Sequence, residues 1–349
     1  MDPELERQRP LAEPPRRRSR WAKRLAALVV LVALYFASTR ISLPMYYAYL
    51  PGPVRGVEQM VEVEGAETYS SEGELYMVTV SVDTEVSLVD FVMTLIDPNS
   101  VVIDKDSLIP RGTSLDQLER EQEAEMDESK QHAIEVAFAA LGLAEPDADG
   151  VRIVRPADGS PSDGKLRKDD VILSVGGNRV ETTCDVGRFV DQNEPGDVVE
   201  VQVRRNGEKV TVQIETVQNP QDPDLPFLGI FMEDINYSFD PEAEVTIDTG
   251  EVAGPSAGLM FSLAIYDLLT PEDLTGGRSI AGTGTIACDG GVGPIGGVQQ
   301  KVAGAEEEGA EVFLAPAANY EAALAAADEI EVVRVSNFTD ALEYLEGSR

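Results

Sequence analysis

Two residues in the C-terminal third have the type and setting for chemistry. Ser256 lies in Gly254-Pro255-Ser256-Ala257-Gly258, directly before the apolar, helically patterned stretch Leu259–Leu269. Gly254-Pro255 sets up a helix start, so Ser256 stands at the positive end of the macrodipole, beside backbone N–H groups that have no intrahelical partner. That setting suits a nucleophile, with the N–H groups of Ser256 and Ala257 as an oxyanion hole. It equally suits a plain helix cap. The same five residues fit G-x-S-x-G, the nucleophile elbow of α/β-hydrolases, which requires a histidine later in the chain. The single histidine, His132, comes earlier. A nucleophilic Ser256 therefore needs a different base, and lysine is the recognised substitute.

Lys301, 45 residues on, is the only lysine after Lys209. It sits in Gly297–Glu308, where Val298, Val302 and Ala305 define the apolar arc of a helix with Lys301 at its edge. A general base must be neutral, and an ordinary lysine with a pKa near 10.4 is only about 0.1% neutral at pH ~7.4. Lowering that pKa by about three units costs the ammonium about 4 kcal/mol, which burial in an apolar pocket can supply. A lysine snorkelling to the surface fits the same spacing.

Composition excludes other chemistries. One histidine and two cysteines, Cys184 and Cys288, complete neither a two-histidine zinc site nor a four-thiolate cluster, so no metal is expected. The 349 residues carry 28 Lys+Arg against 63 Asp+Glu, a net charge of −35, which repels nucleic acid. Gly159 to Lys165 begins like a phosphate-binding loop, but Leu166 stands where a magnesium-binding hydroxyl belongs, so no ATP site and no cofactor are expected. The two cysteines fall in segments read as different domains and are expected as separate buried thiols.

The elements that must position these groups follow a basic head. Residues 1–24 hold eight cations against four anions, and an apolar run from Leu25 to Leu43, broken only by Arg40, approaches the ~20 residues of a membrane-crossing helix. Trp21 stands at the near interface, and the positive-inside rule puts the head in the cytoplasm and the body outside. A cleaved secretory signal is the alternative reading, and it exports the same body. Pro44–Pro53 reads as a linker, Glu74–Val82 as a strand, and Ser114–Leu141 as a helix closed by Gly142. Residues 150–217 change texture to short alternating strands, with Asn206-Gly207 turning a hairpin and a helix near Asp185–Gln192. A proline-rich linker, Asn219–Pro226, precedes the last segment.

The run VRIVRPADGSPSDGKLRKDDVILSVGGNRV resembles a PDZ domain of the bacterial protease-associated type, with Asp169-Asp170 where that family has Gly-Asp. The resemblance implies peptide binding by strand addition, and its carboxylate-binding loop maps loosely to Leu141-Gly142-Leu143-Ala144. GPSAG, its helix and IAGTGTIACDGGVGPIGGVQQKVAGA are similar to the proteolytic domain of Lon-type serine peptidases, which use a Ser–Lys dyad. That likeness runs from about Asp248 to Leu324. It implies Ser256 as nucleophile, Lys301 as base, Thr283 as a threonine that orients the amine, and a possible hexameric ring. Ala253 replaces an acidic residue common in the family. Met126-x-x-Ser129 with Ala133 and Ala137 resembles the helix that opens the Lon domain, so the PDZ module is a candidate insertion.

The fold class expected is α+β, with a basic head (1–24), an anchor (25–43), an α/β region (44–140), a PDZ domain (141–217), a linker (218–226) and a Lon-like domain (227–349). The layout resembles membrane-anchored, PDZ-containing Lon-like proteases of bacteria, which implies ATP-independent hydrolysis of unfolded or flexible extracytoplasmic proteins. The rival from another class is a non-catalytic PDZ scaffold whose Lon-like part mediates assembly.

Overall fold

The computed structural model describes residues 20–108, 115–220, 225–250 and 252–347. Two compact units emerge, one of the chain up to Tyr49 with Val82–Leu108, the other of Leu50–Ser81 with the chain from Ile109 onward. The first elements are α1 (Arg20–Ser38), β1 (Tyr46–Gly56), β2 (Val61–Glu64), β3 (Glu74–Asp83), α2 (Leu88–Ile96), β4 (Val101–Asp104), α3 (Lys105–Leu108) and α4 (Leu115–Leu141). In the first unit β4 pairs antiparallel with Tyr46–Tyr49 of β1, and the Phe91 ring of α2 lies 5.1 Å from that of Tyr46. Ser87 and Asp90 close the start of α2 with a capping box.

Two expectations for this region change. The apolar run from Leu25 to Leu43 is not one helix: α1 ends at Ser38, and among the described residues no helix is long and apolar enough to cross a membrane. From Leu25 to Ser38 a helix rises only about 21 Å, against a hydrocarbon core of ~30 Å. The segment read as a linker, Pro44–Pro53, lies largely within β1, with Tyr47 and Ala48 buried. Ser114, the expected helix cap, lies outside the described residues.

The second unit continues with β5 (Val151–Pro156), β6 (Val171–Val175), β7 (Asn178–Arg179), α5 (Thr183–Asp191), β8 (Val198–Arg205), β9 (Glu208–Glu215), β10 (Val217–Gln218), β11 (Pro226–Phe227) and β12 (Ile230–Asp234). The sheet runs β12-β5-β6-β8-β9, antiparallel throughout, with β7 on β6. Inward residues Val151, Ile153, Ile172, Val199, Val201, Val203 and Ile214 form its core with Leu166 and Val186. Asn206 and Gly207 both take positive φ (53° and 87°), the twist a two-residue hairpin needs. Asp169 also has φ 66°, which explains why a glycine is at home there, while Asp170 is buried against Arg205 in a two-pronged ion pair of 2.8 and 2.6 Å. β12 carries this sheet past the expected PDZ boundary at 217.

The remaining elements are β13 (Glu244–Ile247), α6 (Gly258–Leu268), β14 (Ser279–Gly282), β15 (Thr285–Ile286), β16 (Val292–Gly293), α7 (Val298–Glu308), β17 (Val312–Pro316), α8 (Tyr320–Ala326), β18 (Glu331–Val335) and α9 (Phe338–Gly347). Here the strand order is β18-β17-β14-β3-β1, with β14 parallel to both β17 and β3. Helix α6 is buried over nearly its whole length, and its two buried polar side chains are satisfied, Ser262 by the Gly258 carbonyl at 3.0 Å and Asp267 by the Leu274 N–H at 2.8 Å. Its core joins Val57, Leu75 and Met77 to Met126, Ala133 and Phe138 of α4 and to Leu314 and Phe338. That core is therefore drawn from chain on both sides of the β5–β12 sheet.

Cys184 and Cys288 do not stay apart. They form a disulfide, with Cα atoms 5.7 Å apart, joining the start of α5 to the turn between β15 and β16. Their 104-residue separation hid a pairing that only the folding of the intervening sheet against the α6 core creates.

Candidate active site

Ser256 precedes the first residue of α6, after Gly254, whose φ of 95° turns the chain into the helix. Its carbonyl is held from two sides, by the Gly284 N–H at 2.8 Å and the Thr283 hydroxyl at 2.9 Å. Ser129 on α4 donates to the Pro255 carbonyl at 2.9 Å. Gly258 must be a glycine because a Cβ there would lie 2.5 Å from both Ser129 Oγ and Ile286 Cγ2. These contacts fix the backbone around Ser256 and leave its side chain to point at α7.

Lys301 stands one turn into α7, which starts at Gly297 in the left-handed conformation (φ 66°). The expectation of an edge position is sharpened: Lys301 is only 4% exposed. Its Nζ lies 2.9 Å from Ser256 Oγ and 2.9 Å from Thr283 Oγ1. Among the described residues it has no carboxylate partner, and burial alone pulls its pKa down to about 7. The Thr283 hydroxyl donates to the Ser256 carbonyl, so its lone pairs face the amine and accept an N–H from it. That leaves the lone pair of a neutral Lys301 directed at the serine hydroxyl.

The two amides after Ala257 are already used, Gly258 N–H toward Pro255 O at 3.3 Å and Leu259 N–H toward Gly284 O at 3.2 Å. Among the described residues the N–H groups of Ser256 and Ala257 have no acceptor, as an oxyanion hole requires. A cleft of about 780 Å³ opens beside Pro255, lined by Glu125, Glu128 and His132 of α4, Ile286 of β15, and Ile295. His132 is spoken for structurally, its Nδ1 donating to Ile286 O at 3.2 Å. No cluster of His, Cys, Asp and Glu that would hold a metal occurs among the described residues.

The peptide loop expected at Leu141-Gly142-Leu143 serves another purpose. Gly142 (φ 66°) terminates α4, and the Leu143 N–H returns to Phe138 O at 3.0 Å, a helix cap. The loop that enters the edge strand β12 is instead Phe227-Leu228-Gly229, with Leu228 buried and Gly229 at φ 71°. Strand β12 lies beside α5, and Asp234 at its far end accepts from the Thr183 N–H at 2.6 Å and hydroxyl at 3.0 Å. Gly284, which braces the Ser256 carbonyl and accepts from Leu259, was not singled out in the sequence.

Comparison with known proteins matches two stretches of the chain to known domains. Residues 123–216 match the PDZ domain model, and residues 238–345 match the Lon protease (S16) C-terminal proteolytic domain. Lon protease 2 of Bacillus subtilis (strain 168) is 36% identical over 94 residues, covering 26% of this chain and 16% of its own length. The Lon protease of Campylobacter jejuni is 35% identical over 96 residues (26% of this chain, 12% of its own). A probable periplasmic serine endoprotease, DegP-like, of Rhizobium meliloti is 34% identical over 88 residues (25% and 17%). The chain thus spans less than a fifth of the length of these curated relatives. Among solved structures, the PDZ domain of an SdrC-like protein from Listeria monocytogenes is 20% identical with a TM-score of 0.22, covering 24% of this chain and 87% of that one. The class is a mixed α/β protein that joins a PDZ domain to a Lon-type proteolytic domain. From residue 123 on, the chain thus carries matches to a PDZ domain and to a Lon-type proteolytic domain, and the curated relatives it resembles include two Lon proteases.

Proposed function

We propose that this chain is a serine endopeptidase that works without ATP, through a Ser256–Lys301 dyad. The observation that carries the reading is the 2.9 Å approach of a buried Lys301 amine, with its pKa near 7, to the Ser256 hydroxyl. Neutral Lys301 takes the hydroxyl proton as Ser256 Oγ attacks the scissile carbonyl. The Ser256 and Ala257 amides hold the oxyanion, and the lysine returns the proton to the leaving amine. Water, deprotonated by the same amine, then releases the acyl group from Ser256. Thr283 holds the amine in line between the two steps.

The PDZ module, inserted between α4 and β13, offers substrates an edge strand at β12 and a groove beside α5. Substrates are flexible or unfolded proteins, since this chain has no motif for a nucleotide-driven unfolding step. The apolar N-terminal stretch holds the enzyme at a membrane, with the body outside the cytoplasm, where the Cys184–Cys288 disulfide persists. By analogy with Lon-type domains, rings of several copies are the expected assembly.

The test is cleavage of an unstructured protein by wild type, Ser256→Ala and Lys301→Ala. Both variants should be inactive while keeping wild-type stability or better. Cleavage that survives either change contradicts the dyad. A wild type that cleaves nothing at any pH favours the scaffold reading instead.

A further inference from the structure

The first unit contains a helix whose burial runs backwards. In α2, LVDFVMTLI, seven of nine residues are apolar, and the residue it buries is Thr94, whose hydroxyl returns to the Asp90 carbonyl at 2.8 Å. Val92, Met93, Leu95 and Ile96 face outward, Ile96 at 72% exposure. A soluble helix places such residues against a core, and an exposed cluster of this kind marks a surface with a partner. Of its apolar residues, Val89 and Phe91 are half-buried, the Phe91 ring lying tilted 5.1 Å from that of Tyr46.

The same unit carries a second exposed apolar element. α1 exposes an unbroken series, Leu28, Val29, Leu31, Tyr35 and Phe36, after the cations Arg20, Lys23 and Arg24. The chain leaves α1 at Ser38 and is at once tied to α2: Leu88 N–H donates to Ile41 O at 2.8 Å, and Leu43 N–H donates to Val86 O at 2.8 Å. The exposed apolar face of α2 therefore starts where the apolar run of α1 ends, continuous with it through Ile41. The apolar part of α1, from Leu25 on, falls short of a bilayer's thickness, so a second apolar element at its exit adds the buried area that α1 lacks.

We propose that α2 is a lipid-facing interfacial helix, forming one membrane-embedded surface with the exit of α1. This rests on the membrane reading of the N-terminal stretch, and the experiment separates the two. The chain has one tryptophan, Trp21, which reports on α1. The full-length protein is reconstituted in phosphatidylcholine vesicles with and without lipids brominated near the headgroup. Tryptophan emission is read for the native chain and for Leu95→Trp and Ile96→Trp in a Trp21→Phe background. Helix α2 is expected ~5–10 Å into the headgroup and acyl boundary. Both α2 probes should be blue-shifted and lose most of their emission to the brominated lipid. If Trp21 is quenched but the α2 probes are not, the lipid-facing role of α2 is wrong and the anchor stands. If neither is quenched, the anchor reading falls and takes this proposal with it. Probes that are blue-shifted only at high protein concentration, and blind to bromine, would assign the face to a second copy of the chain and overturn the proposal.

Discussion

At the residue scale the account turns on Lys301. Its pKa in the folded chain is about 7, far below that of an exposed lysine, so kcat/KM should rise with pH through about 7 and then level off. An optimum below pH 6 would contradict this. The stability linkage has a definite sign. Because folding lowers the pKa, the buried ammonium destabilises the fold fully below pH 7, and the cost fades as pH rises toward 10.5. Lys301→Met should therefore be inactive yet more stable than wild type at pH 6, by up to about 5 kcal/mol, with the difference shrinking at pH 9 in urea titrations. In the proposed mechanism Thr283 positions the amine rather than reacting. Thr283→Val should cut kcat by ~10²-fold with KM unchanged and shift the pH profile, while Thr283→Ser restores both. The 2.9 Å approach of Lys301 to Ser256 was legible in part, because the lone upstream histidine removes every histidine-based triad and the likeness to Lon-type domains pointed to Lys301. The Gly284 brace was not, since nothing local in Thr-Gly-Thr says that its amide will meet the Ser256 carbonyl.

At the element scale α6 and α4 do the positioning. The pattern of α6 was plain from its apolar run, and α7 was read within a residue of its observed start. What remained hidden was contact across long sequence distances: Ser129 of α4 holding the Pro255 carbonyl, and the approach at Gly258 that a side chain would block. Gly258→Ala should lose about 1–3 kcal/mol from overpacking against Ile286 and Ser129, and should lower kcat by displacing Ser256. Chemical denaturation and steady-state rates measured on one preparation check both effects. The β1 strand was missed because Pro51, Gly52 and Pro53 read as a chain break, whereas burial of Tyr47 and Ala48 overrides that local signal. Helix α1 has the length expected of the 25–43 segment but begins and ends five residues earlier, since an apolar run does not reveal where the backbone leaves the helix, and among the described residues no helix is long and apolar enough to cross a membrane.

For the whole molecule, the disulfide is the least legible feature and the most consequential. A cross-link over 104 residues restricts the unfolded chain by about 4–5 kcal/mol in the chain-entropy model. Dithiothreitol should lower the Tm of wild type and leave that of a Cys184→Ser, Cys288→Ser double variant unchanged, as read by calorimetry. The overall charge of −35 repels nucleic acid. In the structure Glu125 and Glu128 bring part of that acidity to the cleft beside Pro255. The central claim, that a neutral buried lysine activates Ser256, is tested most directly by labelling the protein with a serine-directed fluorophosphonate across pH and mapping the adduct by mass spectrometry. The account predicts a single adduct on Ser256 whose rate rises through pH 7 and is lost in Lys301→Ala. Labelling elsewhere, or at Ser256 with no dependence on Lys301, would contradict it.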